Sequence, residues 1–158
     1  MLVEYDFTKN YLMGALEGAP DIFEYILAGV SLEEIDRRPD PERFTIREIM
    51  AHLAEWEPIF LERMRRIRNE NEPVLPNIDE GQLAIDHDYA HKDLAEQIRL
   101  FRAGRAQNVA FLNSLQPSDW QRTGKRPEIG VVTIEAIATL MPLHDAYHIR
   151  QICQWRER

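Results

Sequence analysis

Leu143-His144-Asp145-Ala146-Tyr147-His148-Ile149-Arg150-Gln151-Ile152, near the C-terminus, is the stretch on which the fold turns. His144 and His148 stand four residues apart, so on a helix they leave the same face, one turn from each other. At roughly 100° per residue that face also carries Ile137, Met141, Ile152 and Trp155. The histidines therefore point inward among apolar groups, where an uncoordinated polar atom is costly. Either neighbouring polar side chains satisfy them, or they grip one metal ion, for which the spacing is suited. The remainder of the chain reads as the scaffold around this helix.

Working outward, Thr133 caps the start of that helix, which runs to about Trp155 with Pro142 off the histidine stripe. Three other long stretches carry helical period, and no β-branched alternation competes with them. One spans about Lys9 to Val30, with Leu12, Leu16, Phe23, Ile26 and Val30 facing in and a kink expected at Pro20. A second opens at the capping box Thr45-Ile46-Arg47-Glu48 and runs to about Asn69. Its stripe is Ile46, Ile49, Met50, Leu53, Trp56, Phe60, Met64 and Ile67, with a bend expected at Pro58. The third spans His91 to Leu115, with Leu94, Ile98, Phe101, Leu112 and Leu115 inward. Ser31-Leu32-Glu33-Glu34 has the same capping spacing and predicts a short helical turn, which Pro39 and Pro41 end. Residues 71–90 form a long connection with one turn of helix, and Gln116 to Val132 an irregular one. Four amphipathic helices joined by long crossovers predict an all-α four-helix bundle, one domain over residues 1–158.

Composition narrows the function classes. With 158 residues and 44% hydrophobic content, the chain can bury one real core. A net charge of −8 disfavours nucleic acid and anionic membrane as partners. No apolar run reaches the ~18 residues of a membrane span. Cys153 is the single cysteine and cannot form an internal disulfide, which suits a reducing cytoplasm. The N-terminus lacks the pattern of a secretory signal, so a cytoplasmic location is expected.

His52 is the strongest candidate for a third ligand. It sits on the second long helix at the edge of the apolar stripe, beside Trp56 and Ile59, where a side chain can reach a neighbouring helix. A histidine from one helix and a His-x-x-x-His pair from another bring three neutral nitrogens into the core. Three protein ligands leave a further coordination position open, the arrangement of catalytic rather than structural zinc.

Arg38-Pro39, Phe44-Thr45-Ile46-Arg47-Glu48-Ile49 and Ala51-His52-Leu53-Ala54-Glu55-Trp56 resemble the first signature of the DinB/YfiT-like superfamily, although Phe44-Thr45 stands where Trp-Ser is commoner. Its second signature, His-Asp-x-x-His followed by Gln-Ile, is matched by His144-Asp145-Ala146-Tyr147-His148 and Gln151-Ile152. The resemblance covers nearly the whole chain. It implies a four-helix bundle, often a homodimer, with a divalent metal such as zinc or nickel on His52, His144 and His148. It also implies a hydrolase, or a transferase using a low-molecular-weight thiol, acting on a small-molecule substrate. A non-catalytic metal-binding sensor or dimerising stress-response module is the alternative. A structural metal should be closed by a fourth protein ligand, and a catalytic one should face a pocket.

Other residues carry open readings. Glu55 lies within a turn of His52 and is either a proton-transfer group or a solvated flank residue. Arg105 and Asn108 fall on the inward stripe of the third helix. A buried guanidinium needs a carboxylate on another helix or an anionic ligand, so both are candidates for substrate binding. Asp145 points away from the histidines and suits an interhelical ion pair. His87 and His91 read as surface or capping residues, and Arg122, Lys125 and Arg126 as a loop cluster. Trp56 and Trp155 read as core beside the histidines.

Overall fold

The computed structural model describes residues 6–156. The order is α1 (Asp6–Leu27), α2 (Leu32–Asp36), α3 (Ile46–Asn69), α4 (Glu80–Asp86), α5 (Leu94–Asn113), β1 (Thr123–Arg126), β2 (Gly130–Thr133) and α6 (Ile134–Arg156). The four long helices form the bundle. α3 and α1 each pack on both α5 and α6, so α1 and α3 lie diagonally. The α1–α3 connection therefore crosses an end of the bundle. The α3–α5 connection is long because these neighbours run parallel, with Arg47 bonding Lys92 O near their starts and Arg68 bonding Ser114 at their ends, so the chain must return along the bundle.

The caps follow the sequence signals. At α3, Glu48 N–H donates to Thr45 Oγ1 at 3.2 Å, and Glu48 Oε2 accepts from Thr45 N–H at 2.8 Å. Ser31 and Glu34 make the same reciprocal pair at α2. Thr133 Oγ1 accepts from Ala136 N–H at 3.0 Å at the start of α6. Each cap satisfies backbone donors that have no partner within the helix. Pro20, Pro58 and Pro142 all lie inside continuous helices.

Three boundaries differ from the sequence reading. α1 stops at Leu27 because Gly29 takes a φ of 75°, a left-handed conformation that ends helices. α5 starts at Leu94, where Asp93 accepts from Glu96 N–H; residues 89–91 form a 3-10 turn instead. The stretch 116–132 is not wholly irregular. β1 and β2 pair antiparallel, Thr123 opposite Thr133 and Arg126 opposite Gly130. Lys125 also bonds the α3–α4 connection, its N–H to Pro73 O and its carbonyl to Leu75 N–H, both at 2.8 Å. Strands of four residues are too short for alternation to stand out. Gly124 is buried where an added Cβ would meet Ile67 Cγ1 at 2.9 Å and Pro73 O at 3.2 Å, so the hairpin needs glycine there.

The core has two apolar halves. Leu16, Trp56, Phe60, Met64, Leu112, Ile137 and Met141 pack in one. Phe23, Ile46, Ile49, Met50, Leu53, Phe101, Ile152 and Trp155 pack in the other. Between them, at mid-height on α3, α5 and α6, lie buried polar side chains: His52, Glu57, Arg105, Asn108, Asp145, His148 and Gln151. Each large apolar side chain buried in the two halves contributes about 1.5–3 kcal/mol, which sets the scale against which this polar layer is tolerated.

A three-histidine candidate metal centre

α3 supplies His52 and α6 supplies His144 and His148. His144 Nε2 lies 2.9 Å from His52 Nε2 and 3.2 Å from His148 Nε2. The ring centroids are 4.7–5.0 Å apart. His52 and His148 are buried and His144 is half-buried; among the described residues these three form a cluster whose ligand atoms all lie within 4.8 Å of one another.

The local electrostatics keep the rings neutral. Burial, aided by the neighbouring histidines, pushes His52 down to about 2 and His148 down to about 3; burial also lowers His144. Neutral imidazole is the form that offers a lone pair to a metal.

The tautomer of His148 can be derived. Gln151 Nε2 donates to Phe44 O at 3.0 Å, which turns Gln151 Oε1 toward His148 Nδ1 at 3.3 Å. Nδ1 must then carry the proton, leaving the lone pair on Nε2, where the three rings meet. His52 Nδ1 is buried without a hydrogen-bond partner, so its ring is held by packing instead. Phe44 and Trp56 lie 5.3 and 5.8 Å from it, centroid to centroid. The donor set suits a borderline divalent ion such as zinc or nickel.

On the side of His144 and His148 the site opens into a cleft of about 340 Å³, lined also by Glu42, Arg43, Phe44, Glu80, Tyr147 and Gln151. On the other side, Phe60 stands edge-on to His144 at 6.1 Å and closes the wall with Trp56.

The remaining candidates face elsewhere. Glu55 accepts from His87 Nδ1 at 2.5 Å and lines a different cleft, between α3 and α5, of about 390 Å³. Arg105 is held by two carboxylates on two helices: Nη2 donates to Glu57 Oε1 and Nη1 to Asp145 Oδ2, each at 2.7 Å. Nη1 also donates to Leu16 O at 3.3 Å. Burial opposes its charge, but the hydrogen bonds it donates to Asp145 and Glu57 outweigh burial and hold its pKa above the usual value. Asn108 Nδ2 donates to Glu57 Oε2 at 2.8 Å and to the Glu57 carbonyl at 2.9 Å. Asp145 thus makes the interhelical ion pair read from its position.

His91 is exposed and bonds Asp88. Arg122 donates to the carbonyls of Ile67 and Glu70 at the end of α3, Lys125 pairs with Glu72, and Arg126 bonds Asn77, so this cluster fastens the crossovers. Arg43 and Tyr147, on the wall of the metal-side cleft, escaped the sequence reading. Arg43 lies in a segment without period, and Tyr147 reads as a solvent-facing residue of the helix.

Comparison with known proteins agrees with this architecture. The sequence profile described as the DinB superfamily matches residues 15–152. A protein of Oceanobacillus iheyensis, named "putative metal-dependent hydrolase OB0782", is 24% identical over 143 residues, covering 90% of this chain and 83% of the relative. YuaE of Bacillus subtilis, uncharacterised, is 25% identical over 146 residues, covering 84% and 89%. The solved structure of Bacillus subtilis YfiT, described as a probable metal-dependent hydrolase with an unusual four-helix bundle topology, superposes with a TM-score of 0.91 at 20% identity, covering 98% of this chain and 89% of YfiT. With the profile matched over most of its length, the chain belongs to the DinB superfamily.

Proposed function

We propose that this protein is a metal-dependent hydrolase acting on a small molecule, with one divalent cation, zinc or nickel, held by Nε2 of His52, His144 and His148. The observation that carries the reading is the meeting of three Nε2 atoms, at 2.9 and 3.2 Å, in a place where burial keeps the rings neutral. When bound, such a cation makes water, or a low-molecular-weight thiol, a usable nucleophile near neutral pH. The chain's own contributions are distinct. Gln151 fixes the tautomer of His148, Phe44 and Trp56 hold the ring of His52, and Trp56 with Phe60 shields the apolar side. The cleft of about 340 Å³ admits substrate on the open side. A catalytic rather than structural role is supported by the donor set: among the described residues the cluster holds three ligands and no fourth.

The test is metal titration of untagged protein and of His52→Ala, His144→Ala and His148→Ala. The wild type should take up about one equivalent of zinc or nickel, and each variant should lose at least ~10² in affinity while staying helical by circular dichroism. Uptake below about a tenth of an equivalent would refute the site. Chelation that unfolds the protein would favour the non-catalytic module. Metal-dependent turnover of activated esters or amides supports hydrolysis; turnover only with an added small thiol moves the assignment to thiol transfer.

We further read α1 as the surface of a homodimer. Tyr11, Ile22 and Tyr25 are exposed along one stripe, and Gly14 and Gly18 between them have open space above their Cα atoms. Exposed apolar stripes of this kind mark interaction surfaces. The charge of −8 and the lone, exposed Cys153 suit a cytoplasmic protein without nucleic-acid partners.

A further inference from the structure

The cleft beside the histidines contains one cation that no carboxylate of the protein neutralises among the described residues, Arg43. Its single side-chain hydrogen bond runs from Nη1 to the neutral amide Gln154 Oε1, at 3.3 Å, and its Nε is buried with no acceptor. Half of the other described arginines are paired with acids. Arg38, Arg47, Arg66, Arg99, Arg102 and Arg105, for example, all bond carboxylates. In a protein of net charge −8, with acidic groups in excess, a guanidinium that lines this cleft without an acid keeps its charge available to an anionic ligand.

Arg43 is also held in place. Its guanidinium carbon lies 4.6 Å from the Trp155 ring centroid and 5.8 Å from that of Tyr147. Stacking on aromatic faces restrains the orientation of the planar fork while leaving its N–H edge free to bond, which is the preorganisation a bidentate anion anchor requires. Tyr147 stands beside His148, 5.1 Å between ring centroids, so the anchor and the metal ligands share one wall of the cleft. Glu42 and Glu80 line the same cleft and disfavour a polyanion. A planar carboxylate matches the guanidinium fork with two parallel bonds and brings only one charge.

We propose that Arg43 is the specificity-determining residue of the metal-side cleft, binding a single carboxylate on the substrate while the reacting group of the substrate sits at the histidines. The inference rests on the proposed metal site and adds the substrate class: small monocarboxylates bearing a hydrolysable or thiol-reactive bond a few atoms from the acid. Arg43 acts on binding, not on the bond that breaks.

The test is isothermal titration of zinc-loaded protein with four ligands of known metal affinity. Acetohydroxamate and butyrohydroxamate have neutral tails; the monohydroxamates of succinic and glutaric acid carry a carboxylate at two different reaches. At least one carboxylate-tailed ligand should bind wild type ten times more tightly, or better, than the neutral pair. In Arg43→Gln that advantage should fall below threefold, with neutral-tail affinity unchanged, and Arg43→Lys should keep part of it, because Lys offers charge without the fork. Unchanged neutral-tail affinity also certifies that the variant site is intact. No advantage for either carboxylate in wild type, or an advantage that survives Arg43→Gln, overturns the role of Arg43 and leaves the metal site standing. Failure of all four hydroxamates to bind zinc-loaded, folded wild type overturns the metal reading and this proposal together.

Discussion

Replacing Arg105 by Met should destabilise the protein far more than a surface arginine would. The guanidinium is buried, and it is the only cation touching the buried carboxylates of Glu57 and Asp145 among the described residues. Met retains most of the apolar contact with Phe101, whose ring centroid lies 4.8 Å from the guanidinium carbon, so the loss isolates charge and hydrogen bonding. Removing one partner from a buried ionic cluster costs about 3–5 kcal/mol, because the remaining charges stay out of water without compensation. That is a large share of the roughly 5–15 kcal/mol by which domains of this kind are stable. At this chain length each kcal/mol moves Tm by roughly 2–4 °C, so the expected drop is about 6–20 °C. Urea denaturation at neutral pH, followed by circular dichroism at 222 nm, should show a lower midpoint with an unchanged slope. Adding Glu57→Gln and Asp145→Asn to Arg105→Met should restore at least half of the loss, since neutral amides carry no stranded charge. A Tm within about 2 °C of wild type for Arg105→Met alone would refute the reasoning. It would mean the carboxylates escape to water or take up protons cheaply, and it would return Arg105 to candidacy as a substrate anchor.

Other outcomes follow from the same geometry. Metal-free protein should lose stability as the pH falls below 6.5, because the unfolded chain then binds protons that His52 and His148, held down to about 2 and about 3, refuse. Between pH 6.5 and 5 this costs about 2 kcal/mol per histidine, and urea midpoints of His52→Leu/His148→Leu should fall less steeply over that range. Gly104→Ala should lower Tm by several degrees, since its Cβ would fall 2.5 Å from Glu57 Cβ where α5 crosses α3; such overpacking costs about 1–3 kcal/mol. An unchanged melt would show that the helices separate freely. If α1 is the dimer surface, Tyr11→Lys/Tyr25→Lys should sediment as a monomer at concentrations where wild type is dimeric, with metal uptake intact; a monomeric wild type refutes the surface.

Much of this was legible in the linear chain. Periodicity placed the four long helices, because a helix buries one face and its apolar residues must recur every three to four positions. Thr45, Glu48 and Thr133 marked helix starts because unpaired backbone donors at a first turn demand nearby acceptors. The i, i+4 histidines and the edge position of His52 were readable for the same reason of helical geometry. Tertiary structure alone decided where they meet. That the three Nε2 atoms converge, that Arg105 is claimed by Glu57 and Asp145 from two other helices, and that Glu55 turns to His87 in a separate cleft depend on residues 32 to 92 positions apart. The β1–β2 hairpin was hidden because its register is set by the crossover at Pro73 and Leu75, not by alternation in four residues. Local spacing fixes which face a side chain leaves; only packing fixes what waits on the other side.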